Sequence, residues 1–373
     1  MITAPTEATP TWLSDALCEA GVLPHGEVLT IEFQPTGAFN SATMRLIVTY
    51  SSDVLETMPR AFILKCSNGT EWGNQANRDE VCFYRFTASL PDYPPLMVPC
   101  YSTAYDEASG ASHLLLLDLS PTHLVPVPRE QQIAIEKGEN VPAQIYIERA
   151  VETLAALHAY WWEHELLGSA VFPMGYDDEE FARYWSSRRE AVAWLRENER
   201  AFLTPEQQLL CEETVQHFDR WWVDYLAPRM REKSRLTLIH GDAYFANMLS
   251  PRPGIVGNTY LIDWQSAEPH LGPFDLVNLC ATFWTREQRQ EGGREQRVLR
   301  HYLAQLQQRG VQNYHWEDLL LDYRLEIIEW LLITVRDAHN GSRRSYWQPK
   351  LNCMTAAFED WHCLDLLISG AGS

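Results

Sequence analysis

Hydrophobic and polar residues alternate along much of the first third of the chain, which is the pattern of strands with one buried face. One stretch interrupts the alternation: in residues 74–90 apolar side chains recur at helical spacing, and Pro91 closes the run. The pattern predicts the order β-β-β-α-β-β, an antiparallel sheet of five strands with one helix. The predicted strands are 28–37, 42–50, 60–67, 96–105 and 112–120.

From about Ala143 onward, apolar residues recur at i, i+3, i+4 and i+7, which is typical of amphipathic helices. Two short apolar runs, 235–242 and 259–265, interrupt the helices, and each carries an aspartate near its end. The sequence therefore predicts an α+β protein with a β-rich domain at 1–118 and a mostly helical domain at 119–373. The predicted helices are 143–167, 178–200, 204–231, 275–284, 286–309, 316–338 and 351–369.

Acidic residues outnumber basic ones, 50 against 30, and give a net charge of −20. Such a surface repels phosphate backbones and anionic lipid, so we expect no nucleic-acid partner and no membrane partner. Solubility is the simpler interpretation of the charge, and a cationic small substrate is the alternative. The 8 cysteines form no CxxC pair and the N-terminus has no basic or apolar region, so we expect a cytoplasmic protein with reduced thiols.

The two short apolar runs carry the candidate chemistry. Asp242 and Asn247 lie five residues apart in "LIHGDAYFANML", and Asp263 follows the strand in "YLIDWQ". Phosphoryl transfer needs a carboxylate that accepts the proton of the attacking hydroxyl and oxygen ligands that hold Mg²⁺ on the nucleotide. This spacing is the one described for protein kinases. Each residue alone would be a turn or cap residue, and only their combination predicts Asp242 as the base and Asn247 and Asp263 as metal ligands.

The β-rich part should supply a lysine for the phosphates and a helical carboxylate that holds the lysine in place. Lys65 ends the apolar strand "AFILK", and Glu80 lies in the helix that follows it. Asp79 is the neighbour that competes with Glu80 for this role.

Three segments, "LIHGDAYFANML", "YLIDWQ" and "GPFDLVNL", resemble the aminoglycoside phosphotransferase and choline kinase superfamily. The Asp-Trp-Gln triplet, "LLLLDL" and "LAALHAYWW" are most similar to its ecdysteroid-kinase-like branch, and the resemblance spans roughly 30–285. It implies a bilobal protein-kinase-like fold, with a small antiparallel β-sheet lobe with one helix and a larger, mostly α-helical lobe. It also implies transfer of the γ-phosphoryl group of ATP, with Mg²⁺, to a hydroxyl of a small molecule; GTP is an alternative donor.

The resemblance implies a role for each matching residue. Asp242 becomes the catalytic base, Asn247 and Asp263 the Mg²⁺ ligands, and Lys65, held by Glu80, the contact to the α- and β-phosphates. The remaining roles are a buried structural residue (His240), a brace for the catalytic loop (Asp275) and a hinge whose backbone faces the adenine (Asp118 and Leu119).

Two parts of the family pattern depart from that of protein kinases. The phosphate-covering turn "PTGAFNSATM" has Gly37 as its only glycine, so Asn40, Ser41 and backbone N–H groups are expected to cradle the phosphates. Only nine residues separate the Asp-Trp-Gln triplet from Asp275, too few for an activation segment, which argues against a protein kinase.

The acceptor is left open among an aminoglycoside or macrolide, a choline-like amino alcohol, and a sterol-like alcohol. Trp284, Trp330 and Trp347 are candidate substrate contacts, although aromatic residues of helices usually belong to the core. His158 and His164 are six residues apart on different helix faces, so His158 is interpreted as a core residue and not as a metal ligand. A non-catalytic pseudokinase is the alternative function, and a monomer or homodimer is compatible with the sequence.

Overall fold

The computed structural model describes residues 1–36 and 41–369. The chain forms two compact units, each made of two stretches. The first unit comprises Met1–Leu124 and Pro251–Ser266, and the second comprises Val125–Ser250 and Ala267–Ser373.

The first unit is built on an antiparallel sheet of five strands in the order β1-β2-β3-β5-β4. Lys65 lies in the central strand β3, opposite Thr43 of β2 and Leu114 of β5. Because side chains alternate along a strand, Phe62, Leu64 and Cys66 of β3 point into the core while Lys65 lies on the opposite face. The strands are β1 (Val28–Pro35), β2 (Ala42–Tyr50), β3 (Ala61–Cys66), β4 (Cys100–Tyr105) and β5 (Ser112–Leu117).

Two α-helices cover this sheet, one more than the sequence predicted. Helix α1 (Pro10–Glu19) begins at Thr9, whose side chain caps the backbone of Trp12, and it buries Leu13 and Leu17 in the same core as Phe62. The Thr-Pro start and the i, i+4 apolar pair are ordinary helix signals. This helix could therefore be predicted from the sequence, but the sequence analysis missed it. Helix α2 (Glu71–Thr87) is the predicted one.

The stretch Pro251–Ser266 completes the first unit. It contains the short strand Tyr260–Leu261, and the N–H of Leu261 donates to the carbonyl of Leu96 at 2.9 Å. The ring of Trp264 then stacks on Phe83 of α2, with the ring centres 4.5 Å apart and the planes at 16°. These two attachments fix the position of the intervening Asp263.

The second unit is mostly helical, and its longest helix, Trp316–His339, is buried along most of its length. The strands Thr237–Ile239 and Glu268–His270 pair in antiparallel register, with His270 opposite Thr237. A further short strand begins in this unit at Met248–Pro251, and His123–Leu124 is a short strand at the end of the first stretch of the first unit. Numbered along the chain, the strands after β5 are β6 (His123–Leu124), β7 (Thr237–Ile239), β8 (Met248–Pro251), β9 (Tyr260–Leu261) and β10 (Glu268–His270).

The seven predicted helical segments coincide with helices in place but not in number, because several segments are divided and the described part of this unit contains twelve α-helices. Turns of π-helix occupy Trp221–Leu226 and Val277–Ala281. The helices are α3 (Arg129–Ile133), α4 (Gln144–Trp161), α5 (Asp178–Asn198), α6 (Pro205–Gln216), α7 (Phe218–Arg220), α8 (Ala227–Glu232), α9 (Pro273–Leu276), α10 (Arg286–Gln290), α11 (Arg294–Gln308), α12 (Trp316–His339), α13 (Arg344–Asp360) and α14 (Leu364–Ser369).

The predicted fold class is confirmed: the chain is α+β, with a small antiparallel sheet and a larger helical region. Among the described residues, no helix combines the length and the apolar character that a membrane crossing requires.

Candidate active site

In the first unit, Lys65 lies between two carboxylates. Its Nζ is 2.6 Å from Oε2 of Glu80 on α2 and 2.6 Å from Oδ1 of Asp263. Burial alone would lower the pKa of Lys65, but the two carboxylates together raise it above its ordinary value of 10.5. The lysine is therefore a fixed positive charge at any physiological pH.

The structure distinguishes the two neighbouring acids that competed for the lysine. Glu80 is buried and faces Lys65, whereas the carboxylate of Asp79 accepts two hydrogen bonds from the side-chain amide of Gln75, at 2.9 and 3.1 Å. Successive residues of a helix point about 100° apart, so only one of the two acids can face the sheet.

Asp263 differs from Glu80 in its exposure. Its side chain is 40% exposed, against 3% for Glu80, so its carboxylate reaches solvent while also binding Lys65. Its backbone has φ 63°, in the left-handed region that aspartate tolerates better than most residues. An exposed carboxylate beside a fixed cation has the oxygen chemistry that Mg²⁺ prefers.

In the second unit, the loop 240–247 follows β7 and carries Asp242 and Asn247. The side-chain Nδ2 of Asn247 donates to the backbone carbonyl and to Oδ2 of Asp242, both at 3.0 Å. Since the amide nitrogen is committed to Asp242, the amide oxygen of Asn247 is the atom that fits a hard metal ion.

A second amide approaches the same carboxylate. Nδ2 of Asn278, in the π-helical turn Val277–Ala281, lies 3.5 Å from Oδ1 of Asp242. Two amide groups thus orient the carboxylate of Asp242. The sequence analysis missed Asn278; its signal was its spacing of three residues from Asp275, which places both residues on one helix face.

Asp275 binds the start of the loop from behind. Its carboxylate is fully buried and accepts from the backbone N–H of His240 at 2.7 Å and of Gly241 at 3.0 Å. Gly241 has φ 78°, a conformation that glycine adopts without strain. The side chain of His240 is itself buried, and its Nδ1 lies 3.3 Å from the backbone N of Asp242.

His158 supports the carboxylate of Asp275 in turn. Its Nε2 is 3.1 Å from Oδ2 of Asp275, and its Nδ1 is 2.8 Å from the hydroxyl of Tyr302. All of these groups are buried. This agrees with the interpretation of His158 as a hydrogen-bonded core residue.

The predicted hinge is partly occupied by contacts within the first unit. The side chain of Asp118 pairs with Nε of Arg45 at 2.6 Å, and the backbone N–H of Asp118 donates to the carbonyl of Ala61 at 3.2 Å. The carbonyl of Leu119 accepts from two N–H groups of the following turn, at 3.0 and 2.8 Å.

The predicted phosphate-cradling turn is described only at its end. Ser41 is half-buried, and its hydroxyl lies 2.8 Å from that of Thr43. Gly37 and Asn40 lie outside the described residues.

The structure places the three candidate tryptophans in the interior of the second unit. Trp284 is 0% exposed, Trp347 2% and Trp330 6%, and Nε1 of Trp330 donates to the backbone carbonyl of Phe274 at 3.0 Å.

A charged residue near these rings, Lys350 of α13, was not singled out from the sequence. Its buried Nζ lies 5.5 Å from the ring centres of both Phe283 and Trp330, and 3.3 Å from the hydroxyl of Tyr346. Phe283 in turn stacks against Tyr244 of the loop, with 5.7 Å between ring centres. Burial would lower the pKa of Lys350, but the Tyr346 hydroxyl and nearby carboxylates raise it above its ordinary value.

Comparisons with known proteins show the family of the chain. Residues 54–320 match the model of the phosphotransferase enzyme family (APH). No curated protein matches the sequence.

Solved structures resemble the chain over almost its whole length. The choline kinase of Cryptosporidium parvum Iowa II is 12% identical, with 90% of each chain covered and a TM-score of 0.54. A microcompartment-associated aminopropanol kinase is 13% identical, with 95% of this chain and 99% of that chain covered and a TM-score of 0.51. The aminoglycoside 2'-phosphotransferase-IIIa is 12% identical, with 94% and 100% covered and a TM-score of 0.49. At such identities the first two show a shared protein-kinase-like fold.

Proposed function

The chain belongs to the phosphotransferase enzyme family, and we propose that it transfers the γ-phosphoryl group of ATP to a hydroxyl group of a small molecule. One observation carries the proposal: the carboxylate of Asp242 is oriented by the amides of Asn247 and Asn278 on a loop that Asp275 binds from behind. A carboxylate held in this way is prepared to receive a proton in one fixed direction.

In the proposed reaction, Asp242 orients the acceptor hydroxyl and takes its proton as the oxygen attacks. Lys65, held by Glu80, binds the non-transferred phosphates through its permanent charge. Asn247, through its amide oxygen, and Asp263, through its exposed carboxylate, are proposed as ligands of Mg²⁺. The ion, when bound, neutralises the charge on the phosphates.

One charged side chain of the second unit lies close to the loop of Asp242. The candidate acceptors include both cationic amines and apolar alcohols, and the net charge of −20 favours the first group weakly. Lys350 places a buried positive charge against Phe283, whose ring contacts the loop of Asp242. The ammonium of Lys350 also lies 3.5 Å from Oδ2 of Asp337, so its charge is balanced and does not select between cationic and neutral acceptors. The proposed acceptor is therefore a hydroxylated small molecule of any of these classes. Membership of the ecdysteroid-kinase-like branch is compatible with this and stays a prediction.

The proposal is tested with Asp242→Asn, which keeps the shape of the side chain and removes its basicity. Wild type and variant are incubated with Mg-ATP and a panel of antibiotics, amino alcohols and sterol-like alcohols, and phosphorylated products are detected by mass. Loss of a general base should reduce the transfer rate by about 10²- to 10⁴-fold, while binding of a fluorescent ATP analogue is retained.

Asp224→Asn is the matched control, because Asp224 is an exposed aspartate of the same unit. It should transfer phosphate at the wild-type rate. Equal activity of Asp242→Asn and wild type would refute the assignment of the base. ATP binding without any transfer by wild type would favour the non-catalytic alternative.

A further inference from the structure

A second cluster of buried ionisable groups lies in the second unit and has no role in the proposed transfer. It consists of His270, at the end of β10, and of Glu326 and Glu329 on α12, all three nearly inaccessible to solvent. Nδ1 of His270 lies 3.3 Å from Oε1 of Glu326, and its Nε2 lies 3.3 Å from Oε2 of Glu329.

Regular secondary structure holds all three side chains. Glu326 and Glu329 are three residues apart and so share one face of α12. His270 comes from β10, which pairs with β7, the strand that leads into the loop of Asp242. The cluster is therefore positioned by rigid elements, as a site with fixed ligand geometry requires.

The polar atoms of the cluster chiefly face one another. Within the described residues, and apart from the two 3.3 Å contacts between His270 and the glutamates, both ring nitrogens of His270, both oxygens of Glu326 and Oε2 of Glu329 are buried without a hydrogen-bond partner. The other oxygen of Glu329 accepts from the hydroxyl of Tyr184 at 2.9 Å. Buried carboxylates of this kind are normally paired or bound to a metal ion.

The surroundings offer little else to satisfy these atoms. The ring centre of Phe274 lies 5.2 Å from that of His270. The ring of Trp221 stacks on His270 with 6.4 Å between ring centres. The indole N–H of Trp221 is already donated to the backbone of Leu325. In the described part of the chain, the guanidinium of Arg188 packs on the Tyr184 ring and forms no ion pair with either glutamate.

We propose that His270, Glu326 and Glu329 bind a zinc ion. One ligand atom from each residue can be chosen so that all three lie within 4.8 Å of one another. Zinc bonds of about 2.0–2.2 Å place two ligands of one tetrahedral ion roughly 3.4 Å apart, so the carboxylates close by about 1 Å or slightly more on binding.

The ligand types select the ion. An imidazole nitrogen is a poor ligand for Mg²⁺ and Ca²⁺, which prefer oxygen, while zinc accepts histidine and carboxylate together. Two carboxylates also balance a charge of +2. Because the ligands are buried and join β10 to α12, the ion would be structural, and it is separate from the Mg²⁺ proposed for Asn247 and Asp263.

The test measures metal content and requires no acceptor. Full-length protein is stripped with EDTA, dialysed against zinc without nucleotide, freed of excess metal and analysed by mass spectrometry. We expect about one zinc ion per wild-type chain and a higher melting temperature than that of the stripped protein. Glu326→Gln and His270→Gln should bind less than about a tenth of that amount, because each loses one of three ligands.

Two controls locate the ion. His301→Gln alters a half-buried histidine outside the cluster whose Nε2 lies 3.2 Å from a carboxylate oxygen of Glu152, and this variant should bind zinc fully. Asp263→Asn removes a proposed Mg²⁺ ligand and should also bind zinc fully. Zinc that disappears in Asp263→Asn and persists in Glu326→Gln would overturn the proposal.

A readout on wild-type protein covers the case in which the cluster variants do not fold. Cobalt(II) substitution should give the visible absorption of a tetrahedral nitrogen and oxygen site, and zinc should abolish it by competition. The absence of any zinc or cobalt binding by wild type would overturn the proposal, and the cluster would then be a histidine flanked by two glutamates.

Discussion

Asp275→Asn is the sharpest test of how the loop of Asp242 is held. The carboxylate of Asp275 accepts from the N–H groups of His240 and Gly241 and contacts Nε2 of His158. An asparagine keeps one acceptor oxygen and places an N–H₂ group where the other was. The ring of His158 can adapt by changing its tautomer, while the hydroxyl of Tyr302 reverses the direction of its hydrogen bond to the ring. A backbone N–H cannot become an acceptor in this way. One buried backbone N–H is therefore left without a partner, whichever way the amide lies.

The magnitude follows from that single lost bond. A buried donor without a partner costs about 1–3 kcal/mol, with the upper part of the range for a lost bond to a charged group. We expect the free energy of unfolding to fall by about 2–3 kcal/mol. The loop that carries Asp242 should also shift, and a displacement of about 1 Å in a catalytic group reduces rates on the order of 100-fold.

Two assays separate stability from positioning. Urea denaturation gives the loss of stability, and the rate of Mg-ATP turnover is expressed per folded molecule. Asp322→Asn is the control: Asp322 is equally buried and bonds Arg229 and Tyr314, away from the loop. It should lose stability and keep its rate. An unchanged rate in Asp275→Asn, or an equal fall in both variants, would refute the reasoning.

Two further substitutions test the neighbouring contacts. Glu80→Gln removes one of the two carboxylates at Lys65 and should weaken ATP binding about 10-fold in a titration. Asp79→Asn, one residue away, should leave ATP binding unchanged. Weaker binding by Asp79→Asn than by Glu80→Gln would contradict the pairing of Glu80 with Lys65. Gly272→Ala introduces a Cβ that overlaps the tyrosine and histidine behind the catalytic loop, and should lower stability by about 1–3 kcal/mol in thermal unfolding. In Gly257→Ala the new Cβ makes only ordinary van der Waals contacts, so the stability should change by less than about 0.5 kcal/mol. An equal loss of stability in the two variants would show that a Cβ fits at Gly272 without a clash.

The sheet was partly predictable from alternation, which β3 shows along its whole length, and β2 was predicted with its observed ends. Burial does not alternate in β4 and β5: β4 is half-buried throughout and β5 is buried at all but its last position. Helix ends were less predictable. The last helix was predicted to start at residue 351, yet α13 begins at Arg344 and includes Pro349, because Trp347 and Leu351 are buried on either side of the proline. The predicted helix also continues to 369, but His362 takes φ 51° and separates α13 from α14.

The candidate site was predictable where residues close in sequence act together. Asp242 and Asn247 share one loop, so their spacing could be recognised. The choice of Glu80 over Asp79 and the contribution of Asn278 depend on which side of a helix faces the partner, and one sequence does not fix this. The tryptophans could not be assigned for a similar reason: a helical aromatic pattern is the same for a core residue and for a pocket wall.

The first unit is made of two stretches that leave the ribosome at different times. Met1–Leu124 is synthesised first, but Asp263 and Trp264 follow only after Val125–Ser250. At about 5–20 residues per second, the wait is on the order of ten seconds. During that time α2 exposes the face of Phe83 that Trp264 later covers, and it is then that the nascent chain is most open to aggregation or to capture by a chaperone. A chain released before residue 263 would carry Lys65 and the complete loop of Asp242 without the last acidic partner of the lysine, so prematurely terminated products should be inert.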